Sequence, residues 1–293
     1  MASFELIHSP EAELGEGPVW HDEALWWVDI HAGTLNRLNP AKGDTSRRPT
    51  NDSLGAACPC ADGRWLLAQR SGFSLLNWQT GHLAPFASIG MPAGHRLNDG
   101  KCDPAGRFWV GSMSEPPRHK NAFLFALEPA GRVTQVLEGI SLSNGLAWSS
   151  DGGTMFQADS LEQTVTAYDF DCAHGTLAKS RVLVRFPESM GCPDGLTIDK
   201  ENHLWIAMWG GSSVVRIHGE TGEILEKIEL PVTQPSSCCF GGPQFDQLFV
   251  TSAWSGMNEL QRRRDPLAGS IFRISTSTSG FPPVPFRNTQ PTP

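Results

Sequence analysis

The chain has 293 residues, a formal net charge of −8 and no basic run longer than Arg262–Arg264, so it lacks the electrostatic footprint of a nucleic-acid binder. No apolar stretch approaches the roughly 18 residues of a membrane helix, and the start, "MASFELIHSPEAELGEG", has no basic segment leading into an apolar one, so neither membrane insertion nor export is expected. Ten Trp, fifteen Phe and thirty Gly suit a folded protein of strands and turns, and seven cysteines, an odd set in which Cys238 and Cys239 are adjacent, suit buried thiols in a reducing cytoplasm better than a disulfide framework.

A first strand is expected at "SFELIH". After it one unit recurs, a turn followed by an apolar or aromatic strand. The copies are "ALWWVD" from Ala24, "RWLLAQ" from Arg64, "RFWVGS" from Arg107, "TMFQAD" from Thr154, "HLWIAM" from His203 and "QLFVTS" from Gln247. Their starts lie about 40 to 50 residues apart, the repeat length of a four-stranded propeller blade, so six copies predict an all-β, six-bladed β-propeller. The turns "ADGR", "PAGR", "SDGG" and "KENH" predict tight hairpins ahead of four of these strands, and segments such as "GTLNRLNPAKGD" and "SVVRIHGETGE" supply the outer ones. No segment sustains a helical period between a cap and a Gly stop, so little helix is expected.

The strand at "SFELIH" is expected to pair with "SIFRIS" and close the ring. Residues 1–293 then form one domain, with "GFPPVPFRNTQPTP", from Gly280, as a loose tail. Trp26, Trp27, Trp109, Trp205 and Trp209 are expected to fill the wedges between blades. His95, next to Arg96, either lines a pocket or points away from it.

About ten residues before each aromatic strand, the innermost strand of the blade begins. The positions there are Glu16, Leu54, Asp99, Asn144, Asp194 and Ser237. In a propeller such positions converge on the mouth of the central channel. Three carboxylates and an amide, with Arg96 as the nearby cation, would raise one another's pKa unless a further cation sits among them. Oxygen-only donors suit Ca2+, Mg2+ or Mn2+, and a partly hydrated site also accepts Zn2+ or Fe2+. Asp-Gly and Asn-Gly are equally ordinary turn chemistry, but turns do not require oxygen donors at equivalent positions of four blades. No G-x-S-x-G elbow, P-loop, dinucleotide fingerprint, HExxH or EF-hand loop is present.

The ordered set "LGEGPVW", "WVDI", "RLNDGKCDPAGRFWVGSM", "SNGLAWSSD", "PDGLTID", "LWIAMWGG" and "SCCFGG" resembles the regucalcin, senescence-marker-protein and gluconolactonase family of six-bladed propeller lactonases, over nearly the whole chain. The resemblance implies one divalent metal ion held by Glu16, Asn144 and Asp194. It also implies Arg96, Asn98 and Glu115 as contacts to a small sugar lactone, with Pro116 standing where relatives can have a second acidic residue. Asp99 falls close to the site without a settled role. A lactone is a cyclic ester, and its hydrolysis needs a polarised carbonyl, an activated water and a proton for the leaving alkoxide. Asp194 is the expected general base. A calcium-binding regulator of regucalcin type and a non-catalytic scaffold are the alternatives. A closed ring of this size is able to work as a monomer.

Overall fold

The computed structural model describes residues 4–70 and 72–289. The aromatic strands are where the hydrophobic pattern is least alternating, and the structure shows why: Ala24–Asp29 and Phe108–Ser114 are buried at every residue, on both faces of the sheet. Outer strands, by contrast, alternate or are largely exposed, as in Asp44–Pro49 and Ile224–Glu229. Each hairpin ahead of an aromatic strand turns through a left-handed residue. Gly63, Gly106 and Gly152 have φ of 83, 82 and 70°, and in "KENH" Asn202 takes the same role at 61°.

Six four-stranded antiparallel sheets result, arranged as a six-bladed β-propeller. The innermost strands of blades 1 to 6 are Gly15–His21, Leu54–Pro59, His95–Cys102, Ser143–Trp148, Cys192–Ile198 and Pro235–Gly241. The outermost strand of blade 6 is the N-terminal Phe4–His8, antiparallel to Ile271–Ser275 with Phe4 opposite Ile274 and Glu5 opposite Arg273. The two ends of the chain therefore share one blade, and the ring has no open seam.

The core is divided in the same way. Six hydrophobic clusters each draw on two neighbouring blades, one cluster per seam. Trp26 meets Trp65 across the seam of blades 1 and 2 with ring centroids 4.4 Å apart, and Trp205 meets Phe240 edge-on across that of blades 5 and 6 at 5.9 Å. Trp209 is only partly buried and packs on the cluster containing Leu14, Leu54 and Ala253. One short helix, Glu259–Arg264, caps itself through Asn258 and Gln261 in the excursion between the second and third strands of blade 6.

The C-terminal segment is not loose. Gly280 bridges to Asp199, Phe286 bridges to Cys60, and the Phe286 ring is fully buried in the seam of blades 2 and 3. Phe286 N donates to Pro59 O at 2.8 Å and Ala61 N donates to Phe286 O at 2.9 Å. The segment thus crosses the lower end of the channel, where Phe281, Pro282, Pro283 and Val284 wall an axial cavity of about 590 Å3. Proline-rich composition removes backbone donors but does not prevent docking, because one aromatic side chain finds a hydrophobic slot. Residues 290–293 of the expected tail lie outside the described residues. No helix among the described residues is long and apolar enough to cross a membrane.

Candidate functional site

All six innermost strands break register with their neighbours near the upper end. In blades 3, 4 and 5 the pairing stops at Leu97, Ser143 and Pro193 and resumes at Gly100, Leu146 and Leu196, with two residues facing one on the adjacent strand. A bulge of this kind re-aims a side chain out of the alternation, here toward the channel. The first bulge residues are Asn98, Asn144 and Asp194. Asp99 is therefore one position beyond the equivalent place, and Asn98 occupies it, nine residues before Arg107 as Asp194 is nine before His203.

The Asn-Gly and Asp-Gly pairs of blades 4 and 5 are not turns. Neither Gly145 nor Gly195 has a positive φ. A Cβ on Gly145 would lie 2.6 Å from Asp194 O, and one on Gly195 would lie 2.0 Å from Ser237 Oγ. Glycine is required because neighbouring innermost strands nearly touch there.

The ring position of blade 2 is apolar, with Leu54 in the seam between blades 1 and 2, and Ser237 is buried at the blade 6 position. The polar side of the mouth holds Glu16, Arg96, Asn98, Asp99, Asn144 and Asp194, each between 4 and 6% exposed. Arg96 donates from Nε to Glu115 Oε1 at 3.0 Å and from Nη1 to Asn98 Oδ1 at 2.6 Å. Asn98 Nδ2 donates to Asn144 Oδ1 at 2.7 Å and to Ser143 O at 2.9 Å, so both amide hydrogens are committed within the protein. The hydrogen bonds of Arg96 leave from Nε and Nη1, and Nη2 has no hydrogen-bond partner among the described residues. Glu115 is held from its other side by Arg70 Nη1, at 2.7 Å from Oε2.

The carboxylates of the ring are poorly compensated. Glu16 accepts one bond, from Gly17 N at 3.0 Å, Asp99 one from Gly100 N at 2.7 Å, and Asp194 Oδ1 is buried with no partner. Burial first, and then the Asp194 and Asp99 charges, push Glu16 well above the usual carboxylate range. Burial and the Asp99 charge do the same to Asp194, while Asp99 is raised by burial against the opposing charge of Lys101. Glu115 behaves in the opposite sense: burial pulls its pKa up, but hydrogen bonds and charge from Arg70 and Arg96 outweigh it and hold the carboxyl low.

Among the described residues no three His, Cys, Asp or Glu side chains are gathered so as to hold a metal by themselves. Glu16 and Asp194 would need the Asn144 amide oxygen as third donor. An orphaned buried carboxylate oxygen beside a second unneutralised carboxylate and an amide oxygen fits a hard divalent cation.

His95 points away from this cluster, with Nε2 2.8 Å from Asn121 O and its ring against Phe123. Two residues of the network were absent from the sequence reading. Arg70 and Ser160 are, like Glu115, the first residue beyond the second strand of their blades, and together they form a polar arc around the inner ring. That position is visible in the repeat once the strand ends are known.

A family model described as SMP-30/Gluconolactonase/LRE-like region matches residues 14–254. Regucalcin of Xenopus laevis is 35% identical over 292 residues, covering 97% of this chain and 98% of its own. A proposed sugar lactone lactonase of Bacillus subtilis (strain 168), YvrE, is 32% identical over 278 residues, covering 94% of this chain and 95% of its own. Among solved structures, a calcium-binding protein, regucalcin, of Agrobacterium tumefaciens superposes with a TM-score of 0.93 at 26% identity, covering 98% of each chain.

Proposed function

The chain belongs to the SMP-30/gluconolactonase/LRE-like family, and from that premise we propose that it hydrolyses a sugar lactone to the aldonic acid with the help of one divalent ion at the channel mouth. The observation that carries this reading is the uncompensated pair Glu16 and Asp194 beside Asn144, a buried charge deficit with oxygen donors only. Glu16, Asn144 and Asp194 would hold the ion, and Asn98, through its bond to Asn144 Oδ1, fixes the amide oxygen.

When bound, a divalent ion supplies Lewis-acid polarisation of the ester carbonyl and makes water a better nucleophile. Asp194 takes a proton from the attacking water and returns it to the ring oxygen as the acyl C–O bond breaks, so that the hydroxyl ends on the acyl carbon and the proton on the released alkoxide. The Arg96 Nη2 group orients a substrate hydroxyl or the ring oxygen, while Glu115 and Asn98 keep the guanidinium in place. Any contact of Asn98 itself with substrate uses the remaining lone pair of Oδ1, since its hydrogens are committed. Arg70 and Arg96 share Glu115, and Arg70 also approaches Asp52 at 3.9 Å, so this rim sets two cations against two carboxylates and suits a polyhydroxylated, uncharged lactone.

The test is proton release from glucono-1,5-lactone, corrected for spontaneous opening, on chelator-stripped protein with Ca2+, Mg2+, Mn2+, Zn2+ or Fe2+ restored in turn. Activity that vanishes on stripping and returns with an ion supports the reading. Ion uptake with no turnover on any sugar lactone would instead favour a calcium-binding protein, as the Agrobacterium relative is described.

A further inference from the structure

Ser160 follows the second strand of blade 4 and is 6% exposed. Its Oγ accepts from Asn144 Nδ2 at 2.7 Å and donates to the Pro193 carbonyl at 2.6 Å. One serine therefore touches the side chain of one candidate ligand and the peptide leading into another, and it joins blade 4 to blade 5.

The polarity of this arrangement is determined by its ends. Arg96 can only donate, and the Pro193 carbonyl can only accept. Between them the bonds run in one direction: Arg96 to Asn98 Oδ1, Asn98 Nδ2 to Asn144 Oδ1, Asn144 Nδ2 to Ser160 Oγ, and Ser160 to Pro193 O. Reversing either amide would set donor against donor at one end and acceptor against acceptor at the other. We infer that Ser160 is a positioning residue for the divalent ion, locking Asn144 with its oxygen toward the inner ring and fixing the backbone from which Asp194 projects. This rests on the reading of Glu16, Asn144 and Asp194 as ligands. Outer partners of this kind orient the donors and typically change metal affinity by about 10- to 100-fold when lost.

The experiment is calorimetric titration of Mn2+ into chelator-stripped full-length protein. Ser160→Ala is expected to weaken binding at least about tenfold, and Ser160→Thr, which keeps the hydroxyl, to restore most of it. Ser252→Ala serves as control, because Ser252 Oγ also donates to a buried carbonyl, Ser270 O at 2.6 Å, but has no bond to the ring; it should lose stability and keep its affinity. Ser160→Cys, of similar size but a weak donor, gives the same reading should the alanine variant not fold. Wild-type affinity in Ser160→Ala, or an equal loss in Ser252→Ala, overturns the inference. If wild-type protein takes up none of Mn2+, Ca2+, Mg2+, Zn2+ or Fe2+, the ion site itself is refuted and the role of Ser160 falls with it.

Discussion

Asp103 and Asp199, at the lower hairpins of blades 3 and 5, and Asp194, at the mouth, are all carboxylates removed from water. Asp103 accepts from Ala105 N, Arg107 N, Arg107 Nε and Trp109 Nε1, at 2.7 to 3.0 Å. Asp199 repeats the pattern with Glu201 N, His203 N, Trp205 Nε1 and Arg216 Nε, at 2.9 to 3.0 Å. Each lower aspartate thus has a cation and a full set of donors. Asp194 Oδ1 accepts no hydrogen bond, and Arg96, whose charge acts on the group, forms no ion pair with it while Asp99 and Glu16 oppose it. Burial is shared, so what separates a carboxylate that organises a turn from one available for chemistry is whether the protein itself satisfies it.

This contrast is open to direct attack. The largest effect is expected at the mouth: Asp194→Ala should lower turnover by about 10^3-fold or more while leaving a folded ion-free protein, since it removes a base and an uncompensated charge together. Steady-state kinetics beside a urea melt would decide it, and near-normal turnover would remove Asp194 from the mechanism. The lower aspartates should respond the other way. Asp199→Ala leaves the buried Trp205 indole without its acceptor and Arg216 with only the more exposed Glu201, and an expected loss of about 3 kcal/mol in urea unfolding should come with unchanged KM.

At the lower end, Phe286→Ala opens the seam of blades 2 and 3 and should cost about 3 kcal/mol, measured in the same way; a neutral result would mean that the segment is not held by its ring. Arg96→Ala should chiefly raise KM for a sugar lactone, by about tenfold, because the guanidinium orients substrate without taking part in bond breaking. A loss confined to kcat would contradict that role.

The smallest effect expected is in pH dependence. Glu16 and Asp194 have folded pKa values raised above 4.5 and 3.8, so their favourable contribution to the ion-free fold is present below those ordinary values and is lost as pH rises through the raised ones. Glu115, held low, contributes in the opposite sense: its part is present above 4.5 and is lost as pH falls through its depressed pKa. A saturating divalent ion compensates the ring alone. The gap between ion-bound and ion-free unfolding midpoints should therefore widen as pH rises from the ordinary carboxylate range through the raised pKa values of Glu16 and Asp194. Parallel curves would mean that the ion does not sit among these carboxylates.

The sequence by itself determined the number of blades and their closure, because the aromatic strand recurs at a near-constant interval and one strand-like segment remained at each end to pair. Phase within the repeat also placed Glu16, Asn144 and Asp194 among six positions expected at the channel mouth, with Leu54, Asp99 and Ser237 as the others. Strand register, by contrast, depends on a partner. The bulges themselves, at Asn98, Asn144 and Asp194, change no local composition, and only the pairing to the second strand of each blade reveals them. The same is true of Ser160, whose meaning comes from Pro193 in the next blade, and of Phe286, which composition assigns to a loose tail and packing assigns to a seam. Period and residue type are local properties, whereas satisfaction of a buried polar group and the filling of a hydrophobic slot are decided by residues far away in the chain.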